Sequence, residues 1–320
     1  MIVRSTDILG KTILWRPHKA TGKALLSVKK FMMQLNPNTH SMNPISINIE
    51  DYNFSGGGKL GESYLKKDDP NILLKVYPPE REQMGLDEYD RAWKVYRLGL
   101  SCPEPGELVR TDDGRVGIQF KRISGKKSFA RAMSEHPERM EQYAVEFADM
   151  CKKLHATTPP QGIFPLAKEQ YMQSMVDNPF LTKEERQGLE RYIASLPDAD
   201  TAVHGDLHHG NIIFTSDGQK YYIDLSEFCT GTPWFDLGII YRQTVQVPEE
   251  MEMELYHISK SLSVPFWEVF VKHYFGSDIS IKEVEQQALP YAFLRILSLE
   301  PLLSRPSLDV RPEIHKMIGL

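Results

Sequence analysis

The hydrophobic pattern of this chain changes period once, and that change decides what it can fold into. Through residues 45–123 the apolar residues come in short, strand-length runs. Ile45, Ile47 and Ile49 alternate with Ser46, Asn48 and Glu50, as on the two faces of a half-buried strand. That strand leads into a Gly-rich turn at 54–61, then a short run at 63–65, a turn at 68–71 and an apolar strand at 72–77. A helix is predicted over about 80–98, stopped by Gly99 and by Pro103 and Pro105. Strands at 106–110 and 116–123 flank a hairpin turn at Asp112-Asp113-Gly114. Beyond Ser124-Gly125 helical spacing takes over. Met140, Tyr143, Ala144, Phe147, Met150, Cys151 and Leu154 mark one buried face of a helix over 137–155, opened by a proline that the first turn tolerates. The segments 183–196 and those from Glu249 onward read similarly. The expected fold is α+β and two-lobed, with a small antiparallel sheet carrying one helix over 42–123 and a larger helical lobe over 124–320. No internal repeat supports an array architecture.

Composition bounds the chemistry. The 320 residues are 25% charged, contain 21 Gly and 21 Pro, and carry a net charge of −5, the proportions of an ordinary globular protein. The longest apolar stretch, 292–303, is broken by Arg295, Glu300 and Pro301, so no membrane span is predicted. Three cysteines without metal-like or disulfide-like spacing point to a reducing, cytoplasmic setting. The net charge is unevenly placed. Residues 1–40 hold seven bases and one acid, leaving 31 bases against 42 acids, or −11, for the remainder. Three readings of this basic segment, 1–41, stand open: a loosely ordered tail or upstream extension, a docked amphipathic helix over 24–35, or a targeting or polyanion-binding arm. Met42 sits where a shorter chain would begin.

Most of the chemistry lies in one β-rich island at 201–224. It contains His204, Asp206, His208, His209 and Asn211 in a single loop, then Asp224 at the end of the next strand after a Ser216-Asp217-Gly218 turn. Such a hairpin brings Asn211 and Asp224 side by side. Magnesium favours hard oxygen ligands and keeps some water, so one amide and one carboxylate suffice when phosphates supply the rest. Asp206 is then left to take a proton from a hydroxyl nucleophile. Upstream, Gly56, Gly58 and Gly61 match G-x-G-x-x-G, whose backbone N–H groups can approach a triphosphate. Lys75 stands in the middle of an apolar strand, where an unpaired cation is costly. Glu88 on the following helix is the first candidate partner and Glu82 the alternative; an edge-strand lysine facing solvent is the plain reading.

These residues, followed by Gly231, Pro233, Asp236, Leu237 and Gly238, resemble the signature of the aminoglycoside phosphotransferase and choline kinase family, in particular its bacterial phosphotransferase-like members. The likeness runs in order from about Ile45 to Gly238, and the first 40 residues lie outside it. It implies a protein-kinase-like fold with a nucleotide-binding N-lobe and a catalytic, acceptor-binding C-lobe. It further implies ATP and Mg²⁺ as cofactors, Asp206 as catalytic base, and Asn211 and Asp224 as metal ligands. Lys75 would meet the α- and β-phosphates, held by Glu88, under a flap formed by Gly56, Gly58 and Gly61. Lys121 and Ile123 would belong to the hinge meeting adenine, with Phe120 at its inner edge, and His204 and Asp236 would fix the catalytic loop. The glycine-rich run 55–58 departs from the family's usual, less uniform loop.

The expected activity is transfer of the γ-phosphate to a hydroxyl of a small metabolite or aminoglycoside-like molecule, by a monomer or homodimer with no nucleic-acid partner. His208, His209, Ser226 and Glu227 flank the chemistry as candidate acceptor contacts. Three other classes compete. A non-catalytic nucleotide-binding module would usually have lost one of the charged positions filled here. A protein kinase would need a longer segment after Asp224. A metallohydrolase built on His204, Asp206, His208 and His209 would need a second ligand cluster.

Overall fold

The computed structural model describes residues 3–6, 12–15, 40–58 and 61–320. The helix expected over 24–35 lies outside the described residues, as do Lys59 and Leu60 at the tip of the Gly-rich turn. Strands β1 (Val3–Thr6) and β2 (Thr12–Trp15) pair antiparallel, with Val3 opposite Trp15. The described residues, these two strands included, form two compact units.

One unit holds residues 40–128 together with 211–228. Its main sheet contains β3 (Ile45–Ile47), β4 (Tyr52–Gly58), β5 (Gly61–Lys66), β6 (Ile72–Val76), β7 (Pro105–Thr111) and β8 (Val116–Lys121), in the order β3-β7-β8-β6-β5-β4. All pairings are antiparallel except β3 with β7, which is parallel. The alternation at 45–49 predicts one continuous strand, whereas β3 stops at Ile47. There the Asn48 side chain accepts from Glu50 N at 2.9 Å and the Asp112 carboxylate accepts from Ile49 N at 3.0 Å. These local bonds offer the backbone a turn in place of the ladder, and the strand that enters the Gly-rich turn is β4. Between β6 and β7 runs helix α1 (Glu82–Arg97), preceded by the tight turn Pro79–Arg81. Its buried positions include Gly85, Glu88, Tyr89, Ala92 and Val95, the i, i+3, i+4, i+7 spacing of an inward face. Packing in this unit reaches back to His40, whose ring stacks on Trp93 at 6.0 Å and lies 3.4 Å from Asp90. A second small sheet, order β12-β11-β9, pairs β11 (Ile212–Phe214) with β12 (Lys220–Tyr222) and with β9 (Lys127–Ser128).

The other unit, 129–210 with 229–320 together with β1 and β2, is mainly helical. It contains α2 (Phe129–Glu135), α3 (Met140–His155), α4 (Ala167–Asp177), α5 (Lys183–Ser195), α6 (Trp234–Tyr241), α7 (Glu249–Tyr256), α8 (Lys260–Phe275), α9 (Ile281–Leu303) and α10 (Arg311–Ile318). The short strands β10 (Thr201–Val203) and β13 (Cys229–Gly231) pair antiparallel beside them. Helix α5 opens on a full capping box: the Thr182 side chain accepts from Glu185 N, and the Glu185 carboxylate accepts from Thr182 N. Proline at 137 starts a tight turn, Pro137–Arg139, and α3 proper begins at Met140. The charges interrupting the apolar 292–303 stretch are both used: the Glu300 carboxylate binds Arg311 and Asn178, each at 2.8 Å, and Arg295 is taken up below. No helix among the described residues is long and apolar enough to cross a membrane.

Helices α6 and α9 cross at Gly238. A Cβ there would stand 2.5 Å from Tyr291 Cβ and 2.8 Å from Ala292 N, closer than packed atoms approach. Gly238→Ala should therefore overpack this crossing and lower stability by about 1–3 kcal/mol, read as a lower urea midpoint with an unchanged m value.

Candidate functional site

Within the sheet-bearing unit, Lys75 on β6 is the centre of charge. Its Nζ donates to Glu88 Oε2 at 2.8 Å and Oε1 at 3.1 Å, and to Asp224 Oδ1 at 2.6 Å. Glu88, not Glu82, meets this lysine; Glu82 pairs with Arg110 at 2.7 Å. The Tyr77 hydroxyl donates to the same Glu88 carboxylate. Burial alone would push the Lys75 amine down, but the carboxylates of Asp224 and Glu88 outweigh it and hold the amine well above the usual lysine range. Asp224 adopts a left-handed backbone (φ 58°, ψ 61°), a conformation a non-glycine residue takes at some cost. It is one of three such non-glycine residues among the described ones, and the other two, His257 and Ser304, terminate helices.

A cavity of about 220 Å³ opens beside this cluster. Leu73, Phe120, Ile123, Ile213, Ile223 and Leu225 wall one part of it, while Lys75, Glu88, Asp224 and Lys126 supply the charge. An apolar slot with a few convergent charges is the ordinary form of a small-ligand site. Lys121 and Arg122 also line it, and their N–H groups are used, donating to Glu104 O at 2.9 Å and Asn71 O at 2.6 Å. Ile123 N has no backbone partner among the described residues, which leaves it as the donor of this edge. Gly61 is demanded by packing, since a Cβ would lie 2.5 Å from Val76 O, whereas a Cβ on Gly56 would meet nothing within 4 Å. Asn211 O accepts from Ile223 N at 3.0 Å, so the β11–β12 hairpin sets Asn211 opposite the residue preceding Asp224. Ser226 and Glu227 follow in the turn Leu225–Glu227, with Arg91 donating to Ser226 O.

In the helical unit the loop after β10 carries Asp206. The fully buried Asp236 carboxylate anchors this loop: Oδ2 accepts from His204 N at 2.8 Å, Oδ1 accepts from Gly205 N at 2.9 Å, and His155 Nε2 lies 3.0 Å from Oδ2. His155 Nδ1 in turn lies 2.7 Å from the Tyr274 hydroxyl. His204 is itself buried, and its Nδ1 accepts from Asp206 N at 3.3 Å. The Asp206 side chain is 22% exposed and receives Arg295 Nη2 from α9 at 2.8 Å, with His208 Nε2 at 3.9 Å. Burial would raise the Asp206 carboxyl, but the Arg295 charge, followed by His208 and His204, holds it below the usual carboxylate range. Of the candidate acceptor contacts, His208 is partly exposed, with Nδ1 accepting from Gly210 N at 3.0 Å. His209 is 1% exposed, edge-on to Tyr256 and Phe266, and so packs the loop from beneath.

Sequence reasoning did not single out His155, Arg295, Tyr77 or Lys126. Arg295 had a signal, being a charge inside an apolar helical stretch; the other three had none. Asn211 and Asp224 provide the amide and carboxylate oxygens that suit a hard cation already carrying phosphates. Among the described residues no group of three or more His, Cys, Asp or Glu is arranged to hold a metal ion, so the histidines of the 204–209 loop do not converge as a transition-metal site would require.

The sequence profile of the phosphotransferase enzyme family matches residues 54–258. No curated protein sequence shows significant similarity. Among solved structures, the aminoglycoside phosphotransferase APH(3'')-Id from Streptomyces rimosus superposes with a TM-score of 0.50 at 17% identity, covering 84% of this chain and 98% of that one. The aminoglycoside phosphotransferase APH(2'')-IIa in its gentamicin complex gives 0.52 at 14% identity, covering 94% and 96%. The amicoumacin kinase hAmiN, with AMP-PNP and Ca²⁺, gives 0.50 at 15% identity, covering 92% and 94%. At such identities the likeness is one of fold, and that fold is kinase-like.

The Asp236 anchor has a measurable consequence. In Asp236→Asn the amide nitrogen replaces one acceptor and faces an N–H donor, leaving a buried group unpaired. A loss of about 1–3 kcal/mol is expected in urea unfolding, with Asp236→Ala costing more.

Proposed function

This chain belongs to the phosphotransferase enzyme family and is a small-molecule kinase, and on that premise we propose that it moves the γ-phosphate of ATP, with magnesium, to a hydroxyl of a small acceptor. The observation that carries this reading is Lys75 Nζ held between Glu88 and Asp224 at the charged end of an apolar cavity. The apolar walls around Phe120 suit a base, with Ile123 N available to its edge, and Lys75 suits the α- and β-phosphates. Asn211 and Asp224 would hold magnesium, which when bound neutralises phosphate charge. Gly56, Gly58 and Gly61 would cover the phosphates through backbone N–H groups.

Asp206 would orient the acceptor and take its proton. The acceptor O–H bond breaks toward the Asp206 carboxylate, its oxygen bonds the γ-phosphorus, and the β–γ bridging P–O bond breaks to release ADP. Little covalent chemistry falls to the protein, so positioning and charge dominate. His204 and Asp236 act through the loop backbone.

Thermal-shift titration with ATP and magnesium tests the reading: at 100 times its dissociation constant the nucleotide adds about 2.7 kcal/mol. Asp224→Ala should abolish the magnesium-dependent part. Asp206→Asn should keep nucleotide binding and lower label transfer from [γ-³²P]ATP to a metabolite pool by about 10²-fold or more. No shift with any nucleotide would sink the proposal.

A pH profile tests the base. Asp206 works only when ionised, so the rate falls as pH drops through its pKa, and Arg295 keeps that fall below the ordinary carboxylate range. In Arg295→Gln burial is less opposed, and the acidic limb of kcat/KM should move to higher pH. An unmoved limb would show that another group sets it.

A further inference from the structure

The sheet-bearing unit takes in a side chain from upstream of Met42 and buries it. The family match begins only at residue 54, yet the His40 side chain is 5% exposed. Its ring stacks on Trp93 at 6.0 Å and stands edge-on to Tyr89 at 5.4 Å. Arg97 Nη1 lies 3.2 Å from its Nδ1, and Asp90 Oδ1 lies 3.4 Å from its Nε2. A guanidinium can only donate, so Nδ1 accepts and the ring proton sits on Nε2, toward Asp90. Burial, followed by the Arg97 charge, pushes the imidazole below the usual histidine range and keeps it in this neutral form.

All four partners belong to α1, the helix that carries Glu88. At 3.6 residues per turn, Asp90, Trp93 and Arg97 lie about 200°, 140° and 180° round the helix from Glu88. His40 therefore bears on the back of α1, while Glu88 meets Lys75 from the front at 2.8 Å. Helix α1 begins without a side-chain cap, so what holds it is the packing on its faces. Arg91 ties one flank to Ser226 O, in the turn after Asp224, and His40 supports the side opposite Glu88. A helix free to shift backward would draw the Glu88 carboxylate from Lys75, and such a bond weakens steeply with distance and angle.

We infer that His40 is a positioning residue of the nucleotide site, seating α1 from behind so that Glu88 holds Lys75 where the phosphates bind. The inference rests on the phosphotransferase reading for its ligand and extends the working site upstream of Met42.

The test uses the full chain and titrates AMP-PNP with Mg²⁺ by calorimetry, at a temperature where each variant is folded by circular dichroism. His40→Ala should weaken nucleotide binding by about 3- to 30-fold. In a Glu88→Gln background, where Lys75 has lost that carboxylate, the same substitution should weaken it by less than about 2-fold. A merely structural histidine would lower Tm and leave the affinity of the folded protein unchanged. His40→Phe keeps a ring against Trp93 and Tyr89 but gives up Arg97 and Asp90. It should show a smaller loss in the same cycle, and it carries the test alone where His40→Ala does not fold. Unchanged affinity in the His40 variants, or an equal loss with and without Glu88, overturns the inference. If AMP-PNP binds the unsubstituted chain while either holds, the inference alone fails; if AMP-PNP does not bind that chain, the phosphotransferase reading fails and the inference with it.

Discussion

A buried carboxylate must be saturated with donors or it destabilises the fold that buries it. Asp236 meets this demand with two backbone N–H groups of the loop that carries Asp206 and one histidine nitrogen, at 2.8 to 3.0 Å. The consequence runs outward from that atom pair. Once His204 N and Gly205 N are committed to Asp236, the backbone leading into Asp206 has no freedom left at two successive residues, and His155 ties the same carboxylate to α3. Tyr274 extends the tie to α8. The position of Asp206 is thus set by packing within the helical unit, which is what the proposed role would require of it.

The sheet-bearing unit solves a related problem differently. Lys75 in a central strand needs anions, and Glu88 and Asp224 supply two within 2.8 Å. Glu88 is buried and receives Tyr77 as well, so its role is fixed. Asp224 has a side chain 36% exposed and a left-handed backbone that sets it at the cavity wall. Of the two carboxylates it is the more exposed, 36% against 5%.

How much of this was legible in the sequence depended on whether a residue's neighbours were local. The Asn211–Asp224 hairpin was readable because a turn and two short strands determine it. Asp236 was readable only through its motif, since nothing in its local pattern says that the carboxylate turns inward. His155 was invisible: it closes a helical face of otherwise apolar spacing, and its partners come from residues 236 and 274. The break after Ile47 was missed because alternation reports burial period and not the competing Asn48 and Asp112 hydrogen bonds. Arg295 is the instructive case. A charge within an apolar helical stretch excludes a membrane span, and the same fact, taken one step further, says that a buried cation has an anion to meet.

Net charge is the weakest guide to what such a site binds. The −11 of residues 41–320 suggests affinity for cations, yet charges separated by more than about 8 Å are largely screened at physiological ionic strength. What an acceptor senses is the set of groups it touches after water has left. Beside Asp206 the nearest such charge is Arg295, 7% exposed and 2.8 Å away. A surface can be acidic for solubility while a buried group beneath it carries the opposite sign, and where the two disagree the desolvated pair decides.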